Sequence, residues 1–284
     1  MKLSVVYFPN DLGHPSVRAI LGDSIASKEI PWGSALSEQC LATFSALSGC
    51  SIRLCFSFTD KQCESYSHFI LRPKHLVAES DAVLAANADY MRQQPLHHSD
   101  EFGRYRLRDR LFVGTLKPQF DRIWSLEFSG GYLVADTLQA DMLSRFSGLY
   151  DVPLLHYKSR QAVEGWRAFG SATWLEKLHL DDTVEMPIAE DGMKCLRPMG
   201  LLSASAADLE SLPDIARLPS ATLAGDSEYI VSQRVWRYWR EQGIKSFRPE
   251  PLLSAESREY QQYRGLIDEV RSRLAMNPAN RIRT

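Results

Sequence analysis

YIVSQRVWRYWREQGIKSFRPEPL, residues 229 to 252, is the stretch from which the fold reads most directly. Tyr229, Ile230 and Val231 make an apolar strand, and Ser232 follows as an N-cap whose hydroxyl accepts from the first turn of a helix. The helix runs through Val235, Trp236, Tyr238 and Trp239, Gly243 supplies its left-handed C-terminal residue, and Ile244 to Phe247 form the next extended piece. Much of this punctuation occurs earlier, in YLVADTLQADMLSRFSGLYDVPL at residues 132 to 154. Both segments open on Tyr-apolar-Val, pass through a helix and a Gly, and leave on Pro-Leu. The pair reads as a duplicated strand-helix-strand unit. The competing reading is that many αβ units share such punctuation, and two copies fall short of a solenoid.

Working outward, residues 3 to 8 form a buried first strand stopped by Pro9-Asn10-Asp11. Ser34 caps a helix carrying Leu36, Cys40, Leu41, Phe44 and Leu47, with Gly49 beyond its end. Residues 51 to 58 alternate strictly, placing Ile52, Leu54, Phe56 and Phe58 on one side of a half-buried strand. The Ala-rich run at 78 to 94 is helical and ends before Pro95. Gly103 to Val113 alternates as one strand with Arg104, Arg106, Arg108 and Arg110 on a single face. Residues 201 to 219, rich in Ser, Ala and Pro, read as a surface loop with a short helical piece. The last helix spans about Ala255 to Met276, and Tyr260, Tyr263, Ile267, Val270 and Leu274 form its apolar seam. That seam packs on the body of the protein or, in a third reading, builds a homo-oligomeric scaffold. The expected class is α+β or α/β, mixed sheets with packed helices, divided into an N-terminal half at 1–123 and a C-terminal half at 124–284 or continuous as one domain.

Composition narrows the function classes. The chain has 284 residues, of which 44% are hydrophobic and 24% charged, and a formal net charge of −2. These are ordinary globular values, with no overall positive field to hold nucleic acid directly. No run of 18 apolar residues offers a membrane span, and the opening MKLSVVYFPND is too short for an export signal, so a cytoplasmic location is expected. Five cysteines at irregular spacing, Cys40, Cys50, Cys55, Cys63 and Cys195, read as reduced, packed thiols.

The mechanically explicit motifs are missing: no phosphate loop, nucleophile elbow, zinc-protease helix, calcium loop or dinucleotide fingerprint. No catalytic, cofactor-binding or metal residue is therefore expected. The remaining clusters are looser. His97, His98, Asp100 and Glu101 offer nitrogen and oxygen ligands, the four-Arg face could grip phosphate or carboxylate, and Glu176 to Asp191 carries six carboxylates against Lys177. An acidic patch at Asp181, Asp182, Glu185, Glu190 and Asp191 would steer a basic partner. Trp166, Phe169 and Trp174 are candidate interface anchors. Trp236 and Tyr238, two apart on one helix, cannot both face a single core, so Trp236 is taken as a half-exposed contact residue.

The segment Tyr229 to Val235, continued by Gly243-Ile244 and Phe247-Arg248-Pro249, resembles the closing module of immunity proteins from bacterial polymorphic-toxin and type VI secretion systems, including relatives named for a double CxxCG motif. This chain has no CxxCG, so no metal carries over. The resemblance implies neutralisation of a cognate toxin or effector, a basic nuclease fitting the acidic patch, by stoichiometric binding without chemistry. The alternative is a hydrolase or nucleic-acid-processing enzyme assembled from His97, His98, Asp100 and the Arg104 to Arg110 face.

Overall fold

The computed structural model describes the chain except residues 12, 23–28, 48, 75, 96, 100–102, 106, 117–120, 127–130, 176–183, 186–196, 199–200, 219–227, 276–279 and 283–284. It is an α+β protein. The N-terminal layer holds β1 (Lys2–Pro9), α1 (Pro15–Leu21), β2 (Ile30–Pro31), α2 (Ala35–Leu47) and β3 (Cys50–Ser57). After α3 (Asp60–Cys63) come β4 (His68–Pro73), β5 (Leu76–Val77), α4 (Asp81–Gln93), and a hairpin of β6 (His97–Ser99) with β7 (Gly103–Tyr105). A first unit consists of β8 (Leu111–Val113), β9 (Ile123–Leu126), β10 (Tyr132–Ala135), α5 (Asp136–Arg145), β11 (Tyr150–Val152) and β12 (Leu154–His156), with β13 (Trp166–Gly170) behind it. The short pair β14 (Val184–Glu185) and β15 (Arg197–Pro198) precedes a second unit. That unit consists of β16 (Ser203–Ala204), α6 (Ala206–Ser211), β17 (Ile215–Leu218), β18 (Glu228–Ser232), α7 (Gln233–Glu241), β19 (Phe247–Pro251) and β20 (Leu253–Ser254). Finally α8 (Arg258–Leu274) and β21 (Arg281–Ile282) return to the N-terminal layer.

In that layer β1 lies antiparallel to β3 over its whole length, and β21 adds in parallel to β3. The helical seam at Tyr260, Tyr263, Ile267, Val270 and Leu274 is buried there with Val5, Tyr7, Phe44 and Ile52. The last helix thus packs on the protein's own body. Beyond it, the Asn280 side chain accepts from Cys50 N at 2.9 Å and donates to Ser45 Oγ at 2.6 Å, which anchors the end of the chain.

The two echoing segments occupy equivalent places. In the first unit β13 lies between β10 and β11, antiparallel to both, and β9 flanks β10. In the second, β4 lies between β18 and β19, antiparallel to both, and β17 flanks β18. Register aligns them residue by residue. Leu133 and Val152 share the partner Ala168, and Ile230 and Glu250 share Ile70. Counting from these positions sets Tyr132 on Tyr229 and Pro153-Leu154 on Pro251-Leu252. Past the Pro-Leu exit, β12 pairs in parallel with β8 and β20 pairs in parallel with β16. The difference lies in the central strand, supplied from after the first unit but from before both units for the second.

Equivalent residues also meet each other. The rings of Tyr132 and Tyr229 pack edge-on at 4.9 Å, and the Tyr238 hydroxyl donates to the Asp141 carboxylate across the same 97-residue interval. Contacts of a residue with its own equivalent define an approximate two-fold axis, as in an isologous dimer. Acidic clasps cross this axis in both directions. Asp121, just before β9, accepts from Lys245 N, Ser246 N and Ser246 Oγ at 2.6–2.8 Å, holding the turn after α7. Asp214, just before β17, accepts from Ser147 N and Ser147 Oγ at 3.2 Å, holding the turn after α5. Both sheets and both helices share one core, in which Phe69, Tyr132, Phe169, Tyr229, Trp239 and Phe247 are buried.

Four expectations change. The division at 123/124 falls inside β9, and β4 and β5, from the first half, pair with strands of the second. The single strand expected at 103–113 is two, β7 and β8. The stretch expected as a surface loop at 201–219 does carry its short helical piece, α6, but the segments on either side are core: Leu201, Leu202, Ala204 and Ile215 to Leu218 are all buried. A strand buried on both faces loses the alternation that marks a half-buried one, and Arg217 interrupts its apolar run. Trp236, taken as half exposed, is 9% exposed, and Tyr238 is 8% exposed. Both fit inside because α7 is covered on two sides, Trp236 against Phe69 of β4 and Tyr238 against Phe146 after α5.

Candidate functional site

The most distinctive surface lies where α4 crosses β8 and β12. Asn87, fully buried on α4, acts as a strand edge for β8: its Nδ2 donates to Phe112 O at 2.8 Å and its Oδ1 accepts from Phe112 N at 2.9 Å. This pins the helix beside the strand pair. On either side of the pin the same helix face lines a depression of about 420 Å³. Ala86, Asp89, Tyr90 and Gln93 line one with Arg110, Phe112, Leu155 and Arg160. Glu79, Ser80 and Val83 line the other with Thr115, His156, Tyr157 and Lys158.

Cations and rings alternate in the first depression. The Arg110 guanidinium sits 5.1 Å over the Tyr90 ring, Tyr90 meets Phe112 edge-on at 5.8 Å, and the Arg160 guanidinium sits 4.2 Å over Phe112. Each cation–ring contact contributes about 0.5–1 kcal/mol at an exposed site and holds the guanidinium in place without using its N–H donors. Arg110 also pairs with Asp109 at 3.1 Å, and Asp89 is engaged by Arg92. Arg160 has no ion-pair partner among the described residues.

Two features there cost stability. Arg160 ends the hairpin turn after β12, closed by Arg160 N on His156 O and His156 N on Gln161 O, each at 2.9 Å. Its φ is 59°, the left-handed region, where among the described residues every other occupant is Gly. An L side chain in that conformation costs about 1 kcal/mol. The second feature is the Tyr90 hydroxyl, buried with no hydrogen-bond partner among the described residues. An orphaned buried donor costs about 1–3 kcal/mol. Trp239 Nε1 and Ser203 Oγ are likewise unpartnered, but both belong to fully buried core residues away from the surface.

The residues singled out from sequence scatter. Arg108 is buried, with its carbonyl accepting from the Tyr150 hydroxyl, whereas Arg110 is exposed in the depression, because the bend between β7 and β8 breaks the four-Arg face. Arg104 lies in β7, His97 and His98 in β6, and Glu185 in β14, with side chains outside the described residues, as are Asp100, Arg106, Asp181, Asp182, Glu190 and Asp191 in full. Phe169 is core, while Trp174 stacks under the buried Arg217 guanidinium at 4.5 Å. Sequence reasoning missed Tyr90 and Arg160. The signal for Arg160 was a charged residue at the end of a tight turn, where Gly or Asn is usual.

Of the thiols, Cys55 is half-buried, and Cys195 lies outside the described residues. Cys40, Cys50 and Cys63 are buried, and desolvation, then neighbouring Cys40, pushes the Cys50 thiol up to about 12, far from the thiolate form that reacts. Among the described residues no group of three His, Cys, Asp or Glu side chains is placed to hold a metal, and no helix is long and apolar enough to cross a membrane. Compared with protein-family models and with the curated proteins, the chain matches none.

Proposed function

We propose that this chain is an immunity-type protein that binds a cognate bacterial toxin stoichiometrically and neutralises it in the cytoplasm of the producing cell. The observation that carries this reading is the α4 surface: guanidiniums held over aromatic rings in shallow depressions are the side-chain types that dominate protein–protein binding energy. The segment behind the immunity-protein resemblance supports it, being one half of a doubled framework around which the rest is built. The acidic run at residues 176 to 191 carries six carboxylates against Lys177, charge of opposite sign for steering a basic effector. Reversing Asp181, Asp182 and Glu185 to Lys tests its share through the association rate in low salt.

The deciding experiment expresses the chain with the product of its adjacent gene. The neighbour alone is expected to arrest growth, and the pair to grow and to co-purify as a one-to-one complex. A harmless neighbour that forms no complex overturns the reading.

A further inference from the structure

We infer that the groove between α4 and the turn after β12 binds an acidic, extended segment of the partner protein, its carboxylates received by Arg110 and Arg160. This rests on the toxin-binding reading above and adds the chemistry of what is bound. Both guanidiniums line one depression, and their contacts with the Tyr90 and Phe112 rings use no N–H donor; Arg110 gives its Nε–H to Asp109 and keeps its terminal nitrogens for a carboxylate. The walls, Ala86, Leu155 and the two rings, suit the methylene stem of a Glu side chain. The same helix face continues to the second depression, where Lys158 adds a cation and Glu79 a carboxylate to the lining, along a helix about 20 Å long. An extended peptide spans that length; a single small anion does not.

Arg160 occupies a left-handed turn position that Gly would relax, and the Tyr90 hydroxyl is buried without a partner, so two unfavourable arrangements meet at one depression. Stability does not account for the left-handed Arg160, and a bound carboxylate supplies its counter-ion, while the Tyr90 hydroxyl, closed to solvent, stays buried as its ring carries Arg110.

The test uses a fluorescein-labelled peptide of alternating Glu and Ala, its Gln-for-Glu counterpart, and inorganic phosphate as competitor, read by anisotropy with the full chain. The Glu peptide is expected to bind and to weaken with salt, and the Gln peptide not to bind. R110E and R160G should each weaken binding about tenfold, the loss of one charge-assisted pair. Y90F, which keeps the ring under Arg110 and removes only the enclosed hydroxyl, should leave binding unchanged, with R160G and Y90F at least as stable as the parent. Equal binding of the Gln peptide, or unchanged affinity in R110E and R160G, overturns the inference. Phosphate binding without peptide binding overturns it in favour of a free-anion site. In the co-expression experiment, a complex that survives the R110E/R160E double substitution removes the groove and leaves toxin binding standing, whereas no complex with the unaltered chain removes toxin binding itself.

Discussion

Replacing Asp214 with Asn tests whether the crossed clasps hold the two units together. The Asp214 side chain is 10% exposed and accepts from Ser232 Oγ at 2.7 Å on Oδ1, and from Ser147 N and Ser147 Oγ at 3.2 Å on Oδ2. Arg234 approaches at 3.2 Å but is 70% exposed, so its contribution is small. An amide keeps one acceptor and points a donor at groups that themselves donate, which leaves a buried N–H or O–H unmade and costs about 2–4 kcal/mol. Desolvation works to raise the Asp214 pKa, but the bonds from Ser232 and Ser147 and the charge of Arg234 outweigh it and hold the carboxyl below its ordinary range. A depressed carboxylate contributes stability that is present above its unfolded value and lost as pH falls through its folded value. Equilibrium urea unfolding should therefore show the full gap between parent and Asp214→Asn at neutral pH, closing below about pH 4. Neighbouring His68, pushed down by burial against the opposing pull of Asp214, should begin to erode stability at milder acidity, below about pH 6.5. A gap under about 1 kcal/mol at neutral pH, or one that stays constant into acid, would refute the clasp.

Asn87→Ala strips Phe112 of both backbone partners on its α4 side, and urea unfolding should show a loss of about 2–4 kcal/mol with faster hydrogen exchange at the Phe112 amide; protected exchange would mean that the helix is held by something else. Gly148 and Gly243 both hold left-handed positions in the turns after α5 and α7, yet a Cβ at Gly148 would sit 2.1 Å from the Ile215 carbonyl oxygen while one at Gly243 meets nothing within 4 Å. Gly243→Ala should cost about 1 kcal/mol in thermal or urea unfolding and Gly148→Ala clearly more, and equal losses would contradict the packing of the α5 turn on β17.

How much of this was legible follows from how local each signal is. The strand, cap, helix and Gly of residues 229–247 lie within one short window, and Ser232 does cap α7 by accepting from Val235 N at 3.4 Å. The seam of α8 was legible for the same reason. The central strands were not: nothing in Trp166 to Gly170 or His68 to Pro73 announces that each will lie between two strands joined by a helix, because the pairing is long-range and set by the shared core. Trp236 and Tyr238 misled because helix periodicity assumes one buried face, and α7 has two. The acid before each hairpin, Asp121 and Asp214, carries no local signal, because its role depends on a turn far away in sequence. At the site, Arg110 was among the suspects for a reason that failed, a continuous strand. Tyr90 was hidden in an Ala-rich helix, and the strain at Arg160 exists only once Leu155 is seen to bridge Ala162.

The approximate two-fold symmetry makes the asymmetric parts informative. In the second unit the strand pair β16–β20 is sealed: Leu202, Ala204, Leu209 and Leu252 form a buried cluster over it, and the chain passes straight into α8, capped by Ser257 on Tyr260 N at 3.1 Å. The corresponding pair in the first unit, β8–β12, is held by Asn87 but edged by exposed Lys158, Ser159 and Arg160. One framework thus supports a closed back and an open one, and the left-handed Arg lies on the open one, while each has a buried hydroxyl without a partner among the described residues, Ser203 Oγ in the closed pair and Tyr90 on the helix beside the open one. Framework residues such as Asp214 and Gly148 should then govern stability, and rim residues such as Arg110 and Arg160 should govern binding with stability unchanged or improved. A rim substitution that unfolds the chain would break that division, as would a framework substitution that abolishes binding at full stability.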